Sequence, residues 1–143
     1  MARAVDLEIP ARRDHLALVR LVVTAAAAVD GRLSDRRIDD LRLAVSEACA
    51  NAVDALTAAG IDAPVLLHID LTGDDVAVTV TDRAGGFEPA AVEPIPGATE
   101  PGRLGHERGL GIPLMRSLTD DVAFTRTGQG TSVRLAVHPD QEG

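Results

Sequence analysis

The sequence predicts an α+β fold: a two-layer sandwich with a mainly antiparallel sheet and its helices on one face. Three observations point there. Two long segments carry apolar residues at helical spacing, five short ones read as strands, and four of those strands come in adjacent pairs joined by turn residues. The chain has 143 residues, which predicts a single domain over 1–143.

The elements follow in order. Val5-Asp6-Leu7-Glu8-Ile9 alternates and stops at Pro10, as a short strand does. Asp14 is positioned to cap a first helix running to about Ala28, with Leu16, Val19, Val23 and Ala27 on its buried side and Gly31 closing it. Ser34 or Asp35 caps a second, longer helix that ends near Gly60. Its apolar positions Ile38, Leu41, Val45, Ala48, Ala52 and Leu56 keep helical spacing. Val65–Leu71 and Val76–Thr81 form a hairpin through Thr72-Gly73-Asp74-Asp75. Residues 88–108 hold four Pro and three Gly without periodicity, the composition of a functional lid or a disordered segment. A third helix starts near Gly109–Gly111 and runs to about Thr119, with Pro113 expected in its first turn. Val122–Thr127 and Ser132–Val137 close the fold as a second hairpin.

Composition narrows the function. Aromatics make up 1% of the chain, Phe87 and Phe124, so the core must be aliphatic. Net charge is −8, and such an acidic chain without stacking residues is a poor nucleic-acid binder. Residues 1–42 alone are net +1, and Arg12, Arg13 and Arg20 there read either as a solvated face or as a basic face for an acidic partner. Cys49 is the only cysteine, which fits a reducing compartment, and no run is apolar enough to cross a membrane; a soluble cytoplasmic protein is expected. All basic residues are Arg. Without Lys, neither a P-loop nor the strand lysine of the common protein kinases is possible. The four His lack metal-ligand spacing.

Four segments carry the chemistry. In Ser46-Glu47-Ala48-Cys49-Ala50-Asn51, Glu47 and Asn51 are four apart and share a helix face that Asp40 and Asp54 extend. That stripe is either the wet side of a helix or, given its small neighbours, an oxygen pair suited to Mg²⁺ and phosphate. Thr81-Asp82-Arg83-Ala84-Gly85-Gly86 follows a strand; it is a turn, or an acceptor-only carboxylate beside glycines that admit a ligand. Glu107-Arg108-Gly109-Leu110-Gly111 joins the Pro/Gly-rich stretch to a helix start, where amide groups and Arg108 or Arg103 suit an anion. Gly130-Thr131 sits in the last hairpin.

In this order the four segments resemble the conserved boxes of the GHKL (Bergerat-fold) ATPases over nearly the whole chain. The closest likeness is to the anti-sigma-factor serine kinases of the RsbW and SpoIIAB type, which share the small size, the opening strand and helix, and a segment like Gly109-Leu110-Gly111-Ile112-Pro113. The resemblance implies ATP and Mg²⁺ as cofactors. It implies Glu47 as general base, Asn51 as the Mg²⁺ ligand, Asp82 as acceptor of the adenine amine, Gly86 for close approach, and Thr131 as support for Asp82. Arg108, Gly109, Leu110 and Gly111 would line the phosphates, under an ATP lid at about 88–108. It also implies a homodimer that grips a sigma factor and phosphorylates a Ser or Thr of an anti-anti-sigma partner of STAS fold; Arg20 on the first helix is the candidate partner contact, or else a solvated arginine. A module that sequesters the sigma factor without kinase activity is the alternative. The sequence departs from the family at Ala84, which replaces the first glycine of Asp-x-Gly-x-Gly, and at Ala55, where many relatives carry His.

Overall fold

A computed structural model describes residues 3–84, 108–127 and 130–139, with side chains omitted at 108–111 and 127. Five strands form one antiparallel sheet: β1 (Ala4–Ile9), β2 (Val65–Asp70), β3 (Val76–Asp82), β4 (Asp121–Thr127) and β5 (Gly130–Val137), in the order β1-β2-β3-β5-β4. Three helices accompany it: α1 (Leu16–Asp30), α2 (Asp35–Ala59) and α3 (Arg108–Leu118). Alternation settles which side of the sheet they cover. Ile9, Val65, Leu67, Ile69, Val76, Val78, Val80, Val133, Leu135 and Val137 join the core with the apolar stripes of α1 and α2. The intervening positions Asp6, Glu8, His68 and Arg134 are exposed on the other face. The expected α+β sandwich is the architecture found.

Helix ends follow local chemistry. Ser34 caps α2, its hydroxyl accepting from the Arg37 amide at 3.2 Å. Gly31 and Gly60 end α1 and α2 in the left-handed conformation, at φ 83° and 68°. Asp14 does not cap α1. A short 3-10 turn (Arg13–His15) precedes the helix, and the Asp14 carboxylate instead accepts from Arg12 and contacts the His15 ring. Pro113 lies inside α3, beyond the first turn expected for it, because the helix begins at Arg108.

Two ion-paired ties brace the end of the molecule away from the site. Asp30, its side chain fully buried, accepts from Arg3 at 2.5 Å and from Arg32 at 2.8 Å. Arg32 also donates to the carbonyls of Leu71 and Gly73, so the C-terminus of α1 holds the β2–β3 hairpin. Arg37 near the start of α2 reaches Asp120 at 2.5 Å, just before β4.

Candidate functional site

α2 crosses the sheet where β3 ends and β5 begins, and an open cleft of about 110 Å³ lies at that crossing. Ala48, Asn51, Ala52 and Ala55 form its α2 wall; Val80 and Asp82 of β3, Thr131 and Val133 of β5, Phe124 and Arg126 of β4, and Ile112 of α3 complete it. The small residues of α2 make room here, since a larger side chain at Ala48, Ala52 or Ala55 would fill the space. Sites that enclose a drug-sized ligand hold roughly 300–1,000 Å³. The space between the described walls is smaller than that.

Asp82 is the polar centre. It is buried, 7% exposed, at the end of β3. Its carboxylate accepts from the Ala84 amide at 3.0 Å and from the Thr131 amide, which its cross-strand pairing brings alongside. Burial pushes its pKa up, against the pull of those two amides and of the Arg126 charge. When ionised, a carboxylate in such a place accepts hydrogen bonds and donates none. Gly130 sets the geometry: at φ 152°, a Cβ there would sit 2.0 Å from the Asp82 carbonyl oxygen. Only glycine lets β5 come that close to the end of β3.

The structure joins Asn51, Asp82 and Thr131 in one cleft, as the sequence suggested. Thr131 supports Asp82 through its backbone amide. Glu47 lies one turn before Asn51 on α2 and is half-buried, but it does not line the cleft. Gly86 and most of the expected lid, 88–107, lie outside the described residues. Of Arg108, Gly109, Leu110 and Gly111 the helical backbone alone is described, forming the start of α3. Ala84, the departure from the glycine pattern, is fully buried and its amide serves Asp82. No described non-glycine residue has a positive φ, so alanine meets no backbone strain there.

Some expectations change. Arg20 is half-buried and donates to the Ser46 hydroxyl at 2.9 Å, so it ties α1 to α2 and is neither simply solvated nor freely offered. The basic face expected of Arg12, Arg13 and Arg20 is largely neutralised. Arg12 pairs with Asp14, which it holds down at about 2, and Arg13 grips Asp54 through both oxygens. Asp40 and Asp54, expected to extend the Glu47–Asn51 stripe, are engaged by Arg37 and Arg13.

The residues that sequence reasoning passed over are Phe124 and Arg126. Both occupy inward positions of β4, and the Arg116 guanidinium stands 6.0 Å from the Phe124 ring centre. The signal was present in the alternation: an Arg at the third inward position of Val122-Ala123-Phe124-Thr125-Arg126 interrupts an apolar series.

The oxygen donors fit magnesium only in company. Asn51 and Glu47 offer hard ligands on one helix, yet among the described residues no group of three His, Cys, Asp or Glu gathers to hold an ion unaided. Phosphate oxygens would have to complete such a site.

Comparison with known proteins gives the same frame. The family model described as "Histidine kinase-like ATPase domain" matches residues 9–137. The serine-protein kinase RsbW of Bacillus pumilus is 30% identical over 137 residues, covering 92% of this chain and 83% of its own. That of Listeria innocua is 31% identical over 124 residues, covering 82% and 76%. Halalkalibacterium halodurans has one that is 33% identical over 122 residues, covering 82% and 73%. A crystal structure of the RsbU and RsbW domains of a Mycobacterium tuberculosis protein shares the fold, with a TM-score of 0.70 at 19% identity over 96% of this chain; the chain spans 32% of that one. No helix among the described residues is long and apolar enough to cross a membrane. With its matched length, its sheet order and its cleft beside Asp82, this chain belongs to the histidine kinase-like ATPase domain family.

Proposed function

We propose that this chain binds Mg-ATP in the cleft beside Asp82 and acts as an anti-sigma factor with serine/threonine kinase activity. On this reading it grips a sigma factor as a homodimer and phosphorylates a Ser or Thr of an anti-anti-sigma partner of STAS fold. The observation that carries the reading is the buried, amide-braced carboxylate of Asp82 lining one cleft with Asn51. The relatives named serine-protein kinase RsbW support the reaction and the class of partner.

Each residue has a distinct task. Asp82 accepts the 6-amino group of adenine, and Val80, Ala52 and Ile112 provide the apolar walls that exclude water from it. Asn51 turns its carboxamide oxygen toward the phosphate side, where Mg²⁺, when bound, neutralises phosphate charge. Glu47, outside the adenine cleft and one turn from Asn51, takes the proton from the partner's hydroxyl as the phosphoryl group arrives. The amides of Gly109, Leu110 and Gly111 at the start of α3, with Arg108, face the phosphates, and Gly86 allows the nucleotide to approach β3 closely. Arg20 is the proposed partner contact, exchanging Ser46 for a group of the sigma factor. Since Ala84 sits without strain, the lost glycine does not by itself favour a module without kinase activity.

Radiolabelled ATP tests this with a STAS partner present. The parent protein labels the partner. Glu47→Ala still binds Mg-ATP but transfers about 10²–10⁴-fold more slowly, and Asn51→Ala loses Mg-ATP binding. Transfer at the full rate by Glu47→Ala would assign the base elsewhere. No labelling by the parent, with nucleotide binding intact, would leave a sequestering module.

A further inference from the structure

On the outer face of the sheet, directly behind the cleft, a hydroxyl pair joins β3 to β5. Thr81 Oγ1 and Ser132 Oγ lie 2.9 Å apart, half-buried, and either can donate to the other. Val80, Asp82, Thr131 and Val133 line the cleft, so alternation turns the intervening Thr81 and Ser132 to the opposite face. In the β3–β5 register Thr81 opposes Ser132, and the next rung, Asp82 opposite Thr131, is the last. Within the sheet Asp82 is paired on that one side, because the β2–β3 register stops at Leu66 opposite Thr81. β5 meanwhile begins at Gly130, which adds no side-chain packing of its own. The final rung of a ladder is where strands fray. This rung carries the contact on which the cleft depends, for the Thr131 amide donates to the Asp82 carboxylate. The hydroxyl pair sits on the rung immediately inside it.

We propose that Thr81 and Ser132 are positioning residues for nucleotide recognition: their hydroxyl pair locks the end of the β3–β5 ladder and so keeps the Thr131 amide on the carboxylate that receives the purine. The role rests on the cleft being the nucleotide site. Neither side chain lines that cleft, since both lie on the other face of the sheet. They act through the backbone, by raising the fraction of molecules in which the last rung is closed before the ligand arrives. A cross-strand hydroxyl pair shifts such an equilibrium by roughly two- to fivefold. Valine in place of Thr81 separates positioning from stability. It keeps the branched shape, suits a strand at least as well, and removes the hydroxyl. The Ser132 hydroxyl left behind is half-buried and can turn to water, so the fold as a whole has little reason to weaken.

The test is a calorimetric titration of Mg-ATP into the parent, Thr81→Val, Thr81→Ser, Ser132→Ala and the double variant Thr81→Val/Ser132→Ala. Each is also melted, and amide hydrogen exchange is read by NMR without nucleotide. Thr81→Val and Ser132→Ala should each bind Mg-ATP about two- to fivefold more weakly, at a melting temperature close to that of the parent. Their Thr131 amide should exchange faster while the amides of Val78 and Leu135, in the middle of the same ladder, keep their protection. The double variant should be no weaker than the single ones, since all three lose the same bond, and Thr81→Ser should keep the affinity of the parent. Unchanged affinity or unchanged Thr131 exchange in folded Thr81→Val and Ser132→Ala, or losses that add in the double variant, would overturn the positioning role and leave the nucleotide site standing. Faster exchange along the whole ladder with a lower melting temperature would make the pair merely structural, and would overturn it too. A parent protein that binds no Mg-ATP would overturn the site reading, and this inference with it.

Discussion

At the scale of single residues, the site turns on a carboxyl group whose charged form burial disfavours. Asp82 is 7% exposed, and desolvation raises its pKa. The folded protein therefore holds that proton more tightly than the unfolded chain does. The group's contribution favours the fold at acid pH and is lost as pH rises from the ordinary carboxylate range through the raised folded value. Asp82→Asn, which keeps the shape and removes the charge, is accordingly expected to melt at or above the temperature of the parent at neutral pH, with a melting temperature less dependent on pH in the weakly acid range. Differential scanning calorimetry checks this; a clear drop in melting temperature at neutral pH would mean that the carboxylate stabilises the fold. Asp82 and Asn51 were legible in the sequence because their types and surroundings are unusual: a carboxylate closing an apolar strand, an amide among alanines. Arg20 was not, because whether a helix Arg meets water or the Ser46 hydroxyl depends on the packing of α1 against α2, which no local pattern encodes. Phe124 and Arg126 were missed for a different reason. Their strand was recognised and its alternation marks Val122, Phe124 and Arg126 as one face, but that this face lines a cleft with α2 and α3 is a tertiary fact.

Among elements, the helix ends and strand alternation were the readable part. Ser34 and the two left-handed glycines mark the ends of α2 and the end of α1 because each solves a local backbone problem. The entrance to α1 was misread: Asp14 is a good cap by type, but Arg12 and His15 compete for its carboxylate and a 3-10 turn takes the space. The role of Gly130 also escaped a reading of the hairpin alone. Its need arises from β3, since the conflict a side chain would create is with the Asp82 carbonyl and the Arg83 Cα. Gly130→Ala is therefore expected to destabilise the fold by about 1–3 kcal/mol from overpacking, measured by urea unfolding. It should also weaken nucleotide binding, because separating β5 from β3 withdraws the Thr131 amide from Asp82. An alanine variant as stable as the parent would show that the two strands have slack.

Over the whole molecule, the strand order could not be deduced from the segments in sequence. Two hairpins and a leading strand admit several arrangements, and the observed β1-β2-β3-β5-β4 order places the first hairpin beside the second strand of the last. That choice has a functional consequence. It sets the end of β3 against the start of β5, beneath the small-residue stretch of α2, and so makes the cleft. The sequence reading predicted the layered sandwich and its mainly antiparallel sheet, and the strand order came from the structure. The net charge of −8 belongs to this scale too, for an anionic ligand must be drawn in by local amides and arginines against an unfavourable overall field. The most direct measurement is a calorimetric titration of Mg-ATP into the parent protein and into folded Asp82→Asn. Saturable binding at one site per chain in the parent, lost or reduced at least about tenfold in the variant, is the expected result, as one charge-assisted bond is worth roughly 1.5–3 kcal/mol. Undiminished affinity in Asp82→Asn, or no binding by the parent, would contradict it.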